Sequence, residues 1–469
     1  MNKKKCNTNP SGKSPNKQKE KRKTPGKLRR INPNAAGIDV GSKEHYVAVP
    51  EGRDEQSVRT FACFTPDLHK MARWLKACNV ESVAMESTGV YWIPIFEVLE
   101  DYGFDVTLVD ARQVKNVPGR KTDVSDCKWI QELHSFGLLS AAFRPEKEIC
   151  TLRSYWRHRS SLAKSCAKQI HLMQKALEQM NVQLHKVLSD ITGMTGMSII
   201  RAIVSGERNP VVLAKMRHHS VKVSEETIAN ALTGNWREEH LFALGQALEL
   251  YDIYQDKIAE CDRRIDSYMQ TLKTTKRKSN TETLKKTKQK RRKNQPYFDL
   301  ASHLYRMTGV DLTRIDGIDT MTVQTVITEC GIDMSRFPTE KHFCSWLAIC
   351  PNNQITGGKI RKRQTRKVHN RAADALRLAA QSLHSSKTAL GAFYRRMRAR
   401  LGAPKAITAT AHKLAKIIYN MLKYGHDFVD FGQDCYEKQY QDRVLKSLKK
   451  RAREMGLELI NAQTGELVS

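Results

Sequence analysis

The sequence lacks the features that mark secreted, membrane-spanning and zinc-binding proteins. Its eleven cysteines are scattered, none forms a Cys-x-x-Cys pair, and no histidine pair has zinc-finger spacing. We therefore expect free thiols in a reducing compartment, and neither a disulfide scaffold nor a structural zinc site. No apolar run is long enough to cross a membrane, and the N-terminal segment lacks the apolar core of a signal peptide. These absences argue against secretion and against a membrane-spanning protein.

Acidic residues are scarce relative to basic ones. The 469 residues include 80 Lys and Arg but 49 Asp and Glu, which gives a formal net charge of +31. Such an excess repels itself in a compact fold unless a polyanion binds, so nucleic acid is the first partner to consider and an anionic membrane surface the second. Because hydrophobic residues still make up 40% of the chain, we expect folded domains.

Much of the positive charge lies in two segments that contain almost no apolar residues. Residues 1–30 contain twelve Lys and Arg and one acid, and residues 273–293 contain eleven and one acid. Both compositions are typical of disordered segments. They either bind a phosphate backbone through counterion release, with little sequence preference, or only keep the chain solvated. We assign a disordered basic arm to 1–33 and a basic linker to 273–296.

Residues 34–145 have the pattern of a mixed α/β domain. Two short β-like runs within residues 35–49 indicate a hairpin. Helical and strand patterns then alternate, with helices over 66–78 and 91–102, strands over 80–86 and 105–110, and a helix from 123 to about 136. This order predicts a central sheet covered by helices.

Four acidic side chains stand at the ends of these predicted elements. Asp39 interrupts an apolar strand pattern, where a carboxylate is costly without a partner or a function. Glu86 ends a second strand, and Asp123 and Asp126 share one helix face. Converging carboxylates need a cation, and oxygen ligands with open positions suit Mg²⁺, so the four together favour metal-dependent phosphoryl transfer. Taken singly, Asp123 and Asp126 also suit the first turn of a helix, whose dipole favours acids.

Residues 146–272 are expected to form a helical spacer. Apolar residues recur at alternating intervals of three and four from Cys166 to Ile191 and again from Leu244 to Leu272. This spacing predicts a coiled coil that forms within the chain or between chains. Ordinary amphipathic helices on a globular core are the alternative.

Residues 297–430 have the pattern of a second folded unit, mostly helical, and 431–469 that of a charged helical tail. Residues 312–331 resemble a helix-hairpin-helix, whose exposed amides bind a DNA phosphate. Residues 352–359 predict a flexible turn in which Gly357 and Gly358 allow close approach of a ligand. A basic run suited to phosphates begins there; it consists of Lys359, Arg361, Lys362, Arg363, Arg366, Lys367 and Arg371.

Two further groups in this unit are candidates for contact with nucleic acid. The hydroxyl of Thr356 stands beside the two glycines, where a nucleophile for a phosphodiester would need a base or a metal to activate it; a plain turn residue is the alternative. Arg395 and Arg396 could line a phosphate groove, and the adjacent Phe393 and Tyr394 could stack on bases. A solvated basic helix with aromatic residues in the core is the alternative here.

Several motifs resemble the insertion-sequence-110 family of DEDD transposases. Three of them, GIDVGSKEHYVAV, MESTGVYW and DARQVKNVPGRKTDVSDCKWIQEL, are similar to its RuvC-like N-terminal domain. The stretch LAICPNNQITGGKIRKRQTRKVHNRAADALRLAAQSL is similar to its C-terminal transposase domain. The resemblance implies an RNase-H-like α/β fold in which a D-E-D-D quartet binds Mg²⁺ and carries out catalysis; its members would be Asp39, Glu86, Asp123 and Asp126.

The resemblance also implies a reaction and its partners. The family carries a serine, taken as the nucleophile that links covalently to DNA, at the position where this sequence has Thr356. The carboxylates are thought to complete a composite site with it across subunits. A structured bridge RNA pairs with donor and target DNA, and members assemble as dimers and tetramers. We therefore expect an RNA-guided recombinase that acts on DNA in the bacterial or archaeal cytoplasm, at the nucleoid.

Two other functions remain open at this point. The same fold also serves nucleases that cut branched DNA with metal-activated water and form no covalent intermediate. A degenerate relative that binds nucleic acid without catalysis is the other, because the family's serine is replaced by Thr356.

Overall fold

The computed structural model of the protein describes residues 29–87, 89–110, 123–273, 294–366, 368–460 and 467, without the side chains of Gln354, Lys362 and Arg363. The chain divides into two compact units, Met1–Phe143 and Arg144–Ser469. The predicted basic arm up to residue 28 and the predicted linker over 274–293 lie outside the described part. Of the predicted basic run, the side chains of Lys362 and Arg363 and the whole of Lys367 lie outside it as well.

The first unit is built on a five-stranded mixed sheet in the order β3-β2-β1-β4-β5. Its strands are β1 (Ala35–Val40), β2 (Glu44–Ala48), β3 (Val58–Ala62), β4 (Ser82–Glu86) and β5 (Asp105–Val109). Strands β1, β2 and β3 are antiparallel neighbours, whereas β1, β4 and β5 run parallel. The predicted hairpin and central sheet are confirmed, and the architecture fits an RNase-H-like α/β domain. Strand β3 was not predicted.

Helices cover both faces of this sheet. Helices α1 (Thr65–Ala77) and α2 (Trp92–Asp101) share one core with alternate residues of β1 and β4, such as Ile38 and Met85. Helix α3 (Asp123–Ser135) covers the other face, where the His134 ring lies 3.1 Å from the Ser82 hydroxyl. Because strand side chains alternate between faces, Asp39 and Glu86 belong to the α3 side.

The second unit begins with two long helices, α4 (Lys147–Gln179) and α9 (Glu238–Thr271), that pack antiparallel within the chain. Residues near the start of α4 contact residues near the end of α9: the Tyr268 hydroxyl donates to the Glu148 carbonyl (3.1 Å). Further along α4, the Gln255 amide lies 3.4 Å from the Cys166 sulfur. Shorter helices lie between them in the chain: α5 (Leu184–Val187), α6 (Met194–Val204), α7 (Pro210–Lys215) and α8 (Glu225–Ala231). The expected helical spacer is present; its coiled-coil geometry stays a prediction.

The interval pattern up to Ile191 does not describe one helix. Helix α4 ends at Gln179, and Asn181 adopts a left-handed conformation with φ 58°. The later apolar residues Leu184, Leu188 and Ile191 are nevertheless buried, in the same core that receives α6 and α8. The alternating spacing of apolar residues continues past the end of α4 because these residues pack in a globular subdomain against α4 and α9. The prediction of one continuous helical stripe is therefore wrong beyond Met180.

The C-terminal part of the second unit is mostly helical, as predicted. Its helices are α10 (Leu300–Thr308), α11 (Thr320–Cys330), α12 (Glu340–Trp346), α13 (Arg371–Ser382), α14 (Ala389–Leu401), α15 (Ala403–Tyr424) and α16 (Gly432–Glu454). Between α12 and α13 the chain forms an antiparallel pair, β6 (Pro351–Thr356) and β7 (Lys359–Thr365). Among the helices of the described residues, none is long and apolar enough to span a bilayer.

The turn before α11 is held by protein groups. Gly317 is left-handed (φ 82°), and a Cβ there would stand 2.9 Å from the Ala379 carbonyl, so the turn packs against α13. The Asp319 carboxylate caps α11 by accepting from the Thr322 amide at 2.8 Å. Phosphate binding by a helix-hairpin-helix at this point stays a prediction.

Candidate active site

The parallel pairing of β1 and β4 places two of the predicted carboxylates next to each other. Ala35 pairs with Ser82 and Ile38 with Met85, so the same offset brings Asp39 level with Glu86. Both side chains leave the sheet on the α3 face. The Ser87 hydroxyl and amide both bond to the Val109 carbonyl at 3.0 Å, which fixes the chain directly after Glu86.

A glycine in β1 brings the other two carboxylates to this face. A Cβ at Gly37 would overlap the backbones of Cys127 and Gln131, so α3 lies directly on β1 at this residue. The side-chain amide of Gln131 also donates to the Ala35 carbonyl at 3.1 Å. Gly37 and Asp39 share one face, and the first turn of α3 carries Asp123 and Asp126. That turn therefore stands over the carboxyl end of β1.

The electrostatics of Asp39 indicate that the other three carboxylates lie near enough to influence it. Burial, followed by the charges of Asp123, Glu86 and Asp126, raises the pKa of Asp39 to about 6; a bond from the Val40 amide opposes the shift. Burial and like charges both disfavour the ionised form of a carboxyl. The charge of Asp39 also contributes to raising the pKa of the buried Cys127 thiol to about 12, an effect caused mainly by burial. Negative charge is thus concentrated around Asp39.

The donor chemistry of this cluster suits a hard divalent cation. All four side chains offer carboxylate oxygens, which Mg²⁺ and Mn²⁺ prefer, and their mutual repulsion would be relieved by a cation. Among the described residues, however, no group of three or more His, Cys, Asp or Glu side chains has an arrangement that could hold a metal ion. The four carboxylates thus lie on the same face of the sheet and three of them act electrostatically on Asp39. A bound ion would have to draw their oxygens closer together.

Strand β2 adds two polar side chains that the sequence analysis did not assign. Tyr46 pairs directly with Asp39 across the β1–β2 hairpin, so both lie on the α3 face. The Tyr46 hydroxyl donates to the Glu44 carboxylate at 2.7 Å; this bond is the main cause that raises the pKa of Tyr46, and the charges of Asp123 and Asp39 add to it. The alternation of polar residues in KEHYVA puts Glu44 and Tyr46 on one face of the strand, but only the register of the hairpin sets them beside Asp39.

The candidate nucleophile belongs to the second unit. Thr356 ends β6 and pairs with Lys359, and the two residues between them, Gly357 and Gly358, have φ values of 56° and 73°. Two successive left-handed residues form the tight turn of a β-hairpin, and glycine adopts them without steric cost. The segment predicted as a flexible turn is therefore the turn end of a β-hairpin whose register shifts between Gln354 and Ile355, and Thr356 is exposed there.

The basic run predicted to contact phosphates is largely accessible. Lys359, Arg361, Arg366 and Arg371 are all exposed. The Arg366 guanidinium donates to the Ser345 carbonyl and so ties the end of β7 to α12. These side chains, with Gly357 and Gly358, remain predicted nucleic-acid contacts.

Arg395 and Arg396 have partners inside the protein. Arg395 donates to the Ser386 carbonyl (2.6 Å) and to the Gln433 side chain (2.7 Å), and the Arg396 guanidinium stacks on the Tyr440 ring with its carbon 4.0 Å from the ring centroid. Both arginines thereby hold α16 against α14. Their contact with nucleic acid stays a prediction.

The predicted stacking of bases on Tyr394 is wrong, because this residue is 3% exposed and belongs to the core. Its neighbour Phe393 packs edge-on against Tyr436, with ring centroids 6.4 Å apart. The alternative reading, a helix with aromatic residues in the core, therefore describes α14 better.

Comparisons with known proteins find matches in two separate parts of the chain. Residues 36–182 match the family model of the IS110-type DEDD transposase domain, described as a transposase. Residues 311–395 match a second model, described as the transposase IS116/IS110/IS902 family. A search of curated proteins finds no match. The first match includes the four carboxylates, and the second includes Thr356 and the β6–β7 hairpin.

Proposed function

The chain belongs to the IS110 family of transposases, and from this premise we propose that it cuts and rejoins DNA by metal-dependent phosphoryl transfer through a threonine-linked intermediate. Membership makes it a DNA-processing enzyme of an insertion sequence. The observation that carries the proposal is geometric: β1, β4 and the first turn of α3 bring Asp39, Glu86, Asp123 and Asp126 to one face of the sheet.

The proposed cofactor is Mg²⁺, held by these same four carboxylates. When bound, such ions stabilise the charge on the attacking and leaving oxygens of a phosphodiester displacement. The protein's own contribution is to gather the ligands: the sheet fixes Asp39 and Glu86, and α3 brings Asp123 and Asp126 over them. The raised pKa of Asp39 supports this assignment, because it records a concentration of negative charge that a cation would offset.

In the proposed reaction, Thr356 Oγ1 forms a bond to the phosphorus of the DNA strand while the bond from phosphorus to a deoxyribose oxygen breaks. The hydroxyl proton leaves to a base, and the departing oxygen takes up a proton. Rejoining is the same exchange in reverse, with a deoxyribose hydroxyl of the new partner strand displacing Thr356. The exposed position of Thr356 at the end of the hairpin gives DNA access to the hydroxyl.

We propose that a structured guide RNA selects donor and target DNA, with homodimers or tetramers as the working assembly. Base pairing would then read the sequence, while the protein holds backbones. The net charge of +31 suits a particle loaded with both nucleic acids. Purification of the protein followed by sequencing of any RNA bound to it tests the guide directly.

The reaction is tested by trapping a covalent protein–DNA adduct. Wild type should form the adduct, Thr356→Ala should not, and Ser345→Ala should, because Ser345 is another exposed hydroxyl of the same unit. Asp123→Ala should lose cleavage and keep DNA binding. Cleavage without any adduct would favour the metal-dependent nuclease, and DNA binding with no cleavage in wild type would favour the non-catalytic relative.

A further inference from the structure

The β6–β7 hairpin exposes an apolar pair beside the candidate nucleophile. Ile355 pairs with Ile360 across the two strands, and they are 63% and 40% exposed. Directly paired residues project on the same side of a two-stranded ribbon. Nearly every hairpin residue whose burial is described is exposed, Thr365 being half-buried. Since a two-stranded hairpin is at best marginally stable alone, this one suits a role in which a partner covers it.

The two faces of the ribbon differ in chemistry. Thr356 and Lys359 form the next pair toward the turn, so they project from the face opposite Ile355 and Ile360. Next to the turn, one face therefore carries the isoleucine pair, and the other carries a hydroxyl and an ammonium group. A nucleic-acid strand has the same division, with apolar base surfaces on one side of its sugar chain and phosphates on the other.

The charge of the hairpin identifies the kind of partner. Residues 351–366 contain no Asp or Glu and five basic residues, namely Lys359, Arg361, Lys362, Arg363 and Arg366. The same hairpin of a second copy would bring like charge against like charge, which is destabilising. DNA offers both a polyanionic backbone and, between two unstacked bases, a surface for branched apolar side chains. Proteins that insert such side chains at a base step kink the duplex in return for wider contact.

We propose that the Ile355–Ile360 pair enters the base stack at the step beside the phosphodiester that Thr356 attacks. This inference rests on the proposed function, because it takes Thr356 as the nucleophile. The isoleucines hold the bases of that step apart on one face of the hairpin, and the scissile phosphate lies against Thr356 and Lys359 on the other. One face of the hairpin thereby unstacks the DNA bases, and the other face attacks the phosphodiester.

The test uses full-length protein, with any RNA that purifies with it, and a synthetic duplex of the element's end that carries 2-aminopurine at successive positions. Thr356→Ala keeps the DNA uncut, and its fluorescence should rise at one step. Adding Ile355→Ala and Ile360→Ala should remove that rise, while Ile355→Leu with Ile360→Leu should keep it. Ile253→Ala is the matched control, because Ile253 is also exposed, at 45%, but lies on α9.

The outcomes separate this inference from the reaction itself. Persistence of the fluorescence rise in the double alanine variant would overturn the inference, and so would a change of that variant to a smaller oligomer, which would make the pair a contact between copies. If Thr356→Ala still forms the adduct, the nucleophile assignment fails whatever the fluorescence shows. If Thr356→Ala shows no fluorescence rise at any step, and Ile355→Ala with Ile360→Ala in a chain that keeps Thr356 still forms the adduct normally, the proposed reaction is retained and the insertion of the isoleucine pair is rejected.

Discussion

Asp39 and Glu86 occupy matched positions on neighbouring parallel strands, one residue beyond the registered pair Ile38 and Met85. Two carboxylates side by side on a partly buried face repel each other, and Asp123 and Asp126 increase the repulsion. A fold tolerates such a cost chiefly where the residues serve a function.

Gly37 should be needed to hold α3 against β1. Gly37→Ala places a methyl group where the Cys127 and Gln131 backbones lie, so α3 has to move and carries Asp123 and Asp126 with it. We expect a loss of roughly 1–3 kcal/mol in the free energy of unfolding, the usual cost of overpacking, together with loss of DNA cleavage. Urea denaturation measures the first effect. Gly245→Ala is the control, because a Cβ there meets only Val204, at 3.7 Å, and alanine favours the helix. Equal stability of the two variants would contradict the packing argument.

Asp39→Asn should stabilise the metal-free protein at neutral pH and not at acid pH. Because Asp39 has a folded-state pKa of about 6 against an ordinary 3.8, the folded state keeps a proton that the unfolded chain has lost. Stability therefore falls as the pH rises between these two values. Above that window the variant should gain roughly 1 kcal/mol, allowing for solvent screening, and the gain should vanish below it.

The measurement is the Tm of both proteins without divalent ions across this pH range. Asp54→Asn should instead lose stability throughout this range, because hydrogen bonds from the Trp74 indole and the Gln56 amide lower the pKa of Asp54, and the loss should fade only at more acid pH. A loss of stability in Asp39→Asn at neutral pH would show that Asp39 is paired with a positive group instead.

The ion pair of Arg159 and Asp262 should be the most sensitive contact between α4 and α9. Their side chains are 4% and 2% exposed, and Asp262 also accepts from the Tyr297 amide at 3.3 Å. Asp262→Ala leaves a buried cation without its partner and should cost about 3–5 kcal/mol. Arg159→Met with Asp262→Leu should recover most of this loss, as measured by urea unfolding. If Asp262→Ala alone unfolds like wild type, the buried pair is not formed.

Thr356→Ser should increase adduct formation. The methyl group of threonine restricts χ1 and crowds an attack by Oγ1, and serine removes it. Since the residue is exposed at a hairpin end, the change should leave the fold intact. We expect a gain of up to roughly tenfold, or about 1.4 kcal/mol of barrier, and no adduct with the isosteric Thr356→Val. An adduct that persists in Thr356→Val would assign the nucleophile elsewhere. Gel analysis of adduct formation over time gives both answers.

The sequence predicts those strands of the first unit in which the spacing of apolar residues matches their burial. The apolar pattern in GIDVG and the apolar run before Glu86 predicted two strands with acidic residues at their carboxyl ends. In the structure these two strands pair in parallel. Strand β3 was missed because its residues are exposed or half-buried at the sheet edge and show no clear alternation. Tyr46 and Glu44 were missed because their place beside Asp39 depends on hairpin register, which a pattern of residue types does not state.

The second unit was harder to predict because its tertiary packing overrides local periodicity. Helix α4 ends just before the left-handed Asn181, although the alternating spacing of apolar residues continues beyond it. The spacing alone therefore overestimated the length of the helix. The β6–β7 hairpin consists mainly of polar and basic residues, whose strand pairing has no hydrophobic signature. Tyr394 and Arg396 look like a nucleic-acid surface in sequence, yet one is in the core and the other stacks on Tyr440 of α16.

We propose that the four carboxylates form one divalent-cation site. Anomalous X-ray diffraction from crystals soaked in Mn²⁺ tests it most directly, because the signal locates the ion itself. We predict density within about 2.5 Å of carboxylate oxygens of Asp39, Glu86 and at least one of Asp123 and Asp126, and none in crystals of Asp39→Asn. An ion bound elsewhere, with these four side chains unliganded at saturating Mn²⁺, would contradict the account.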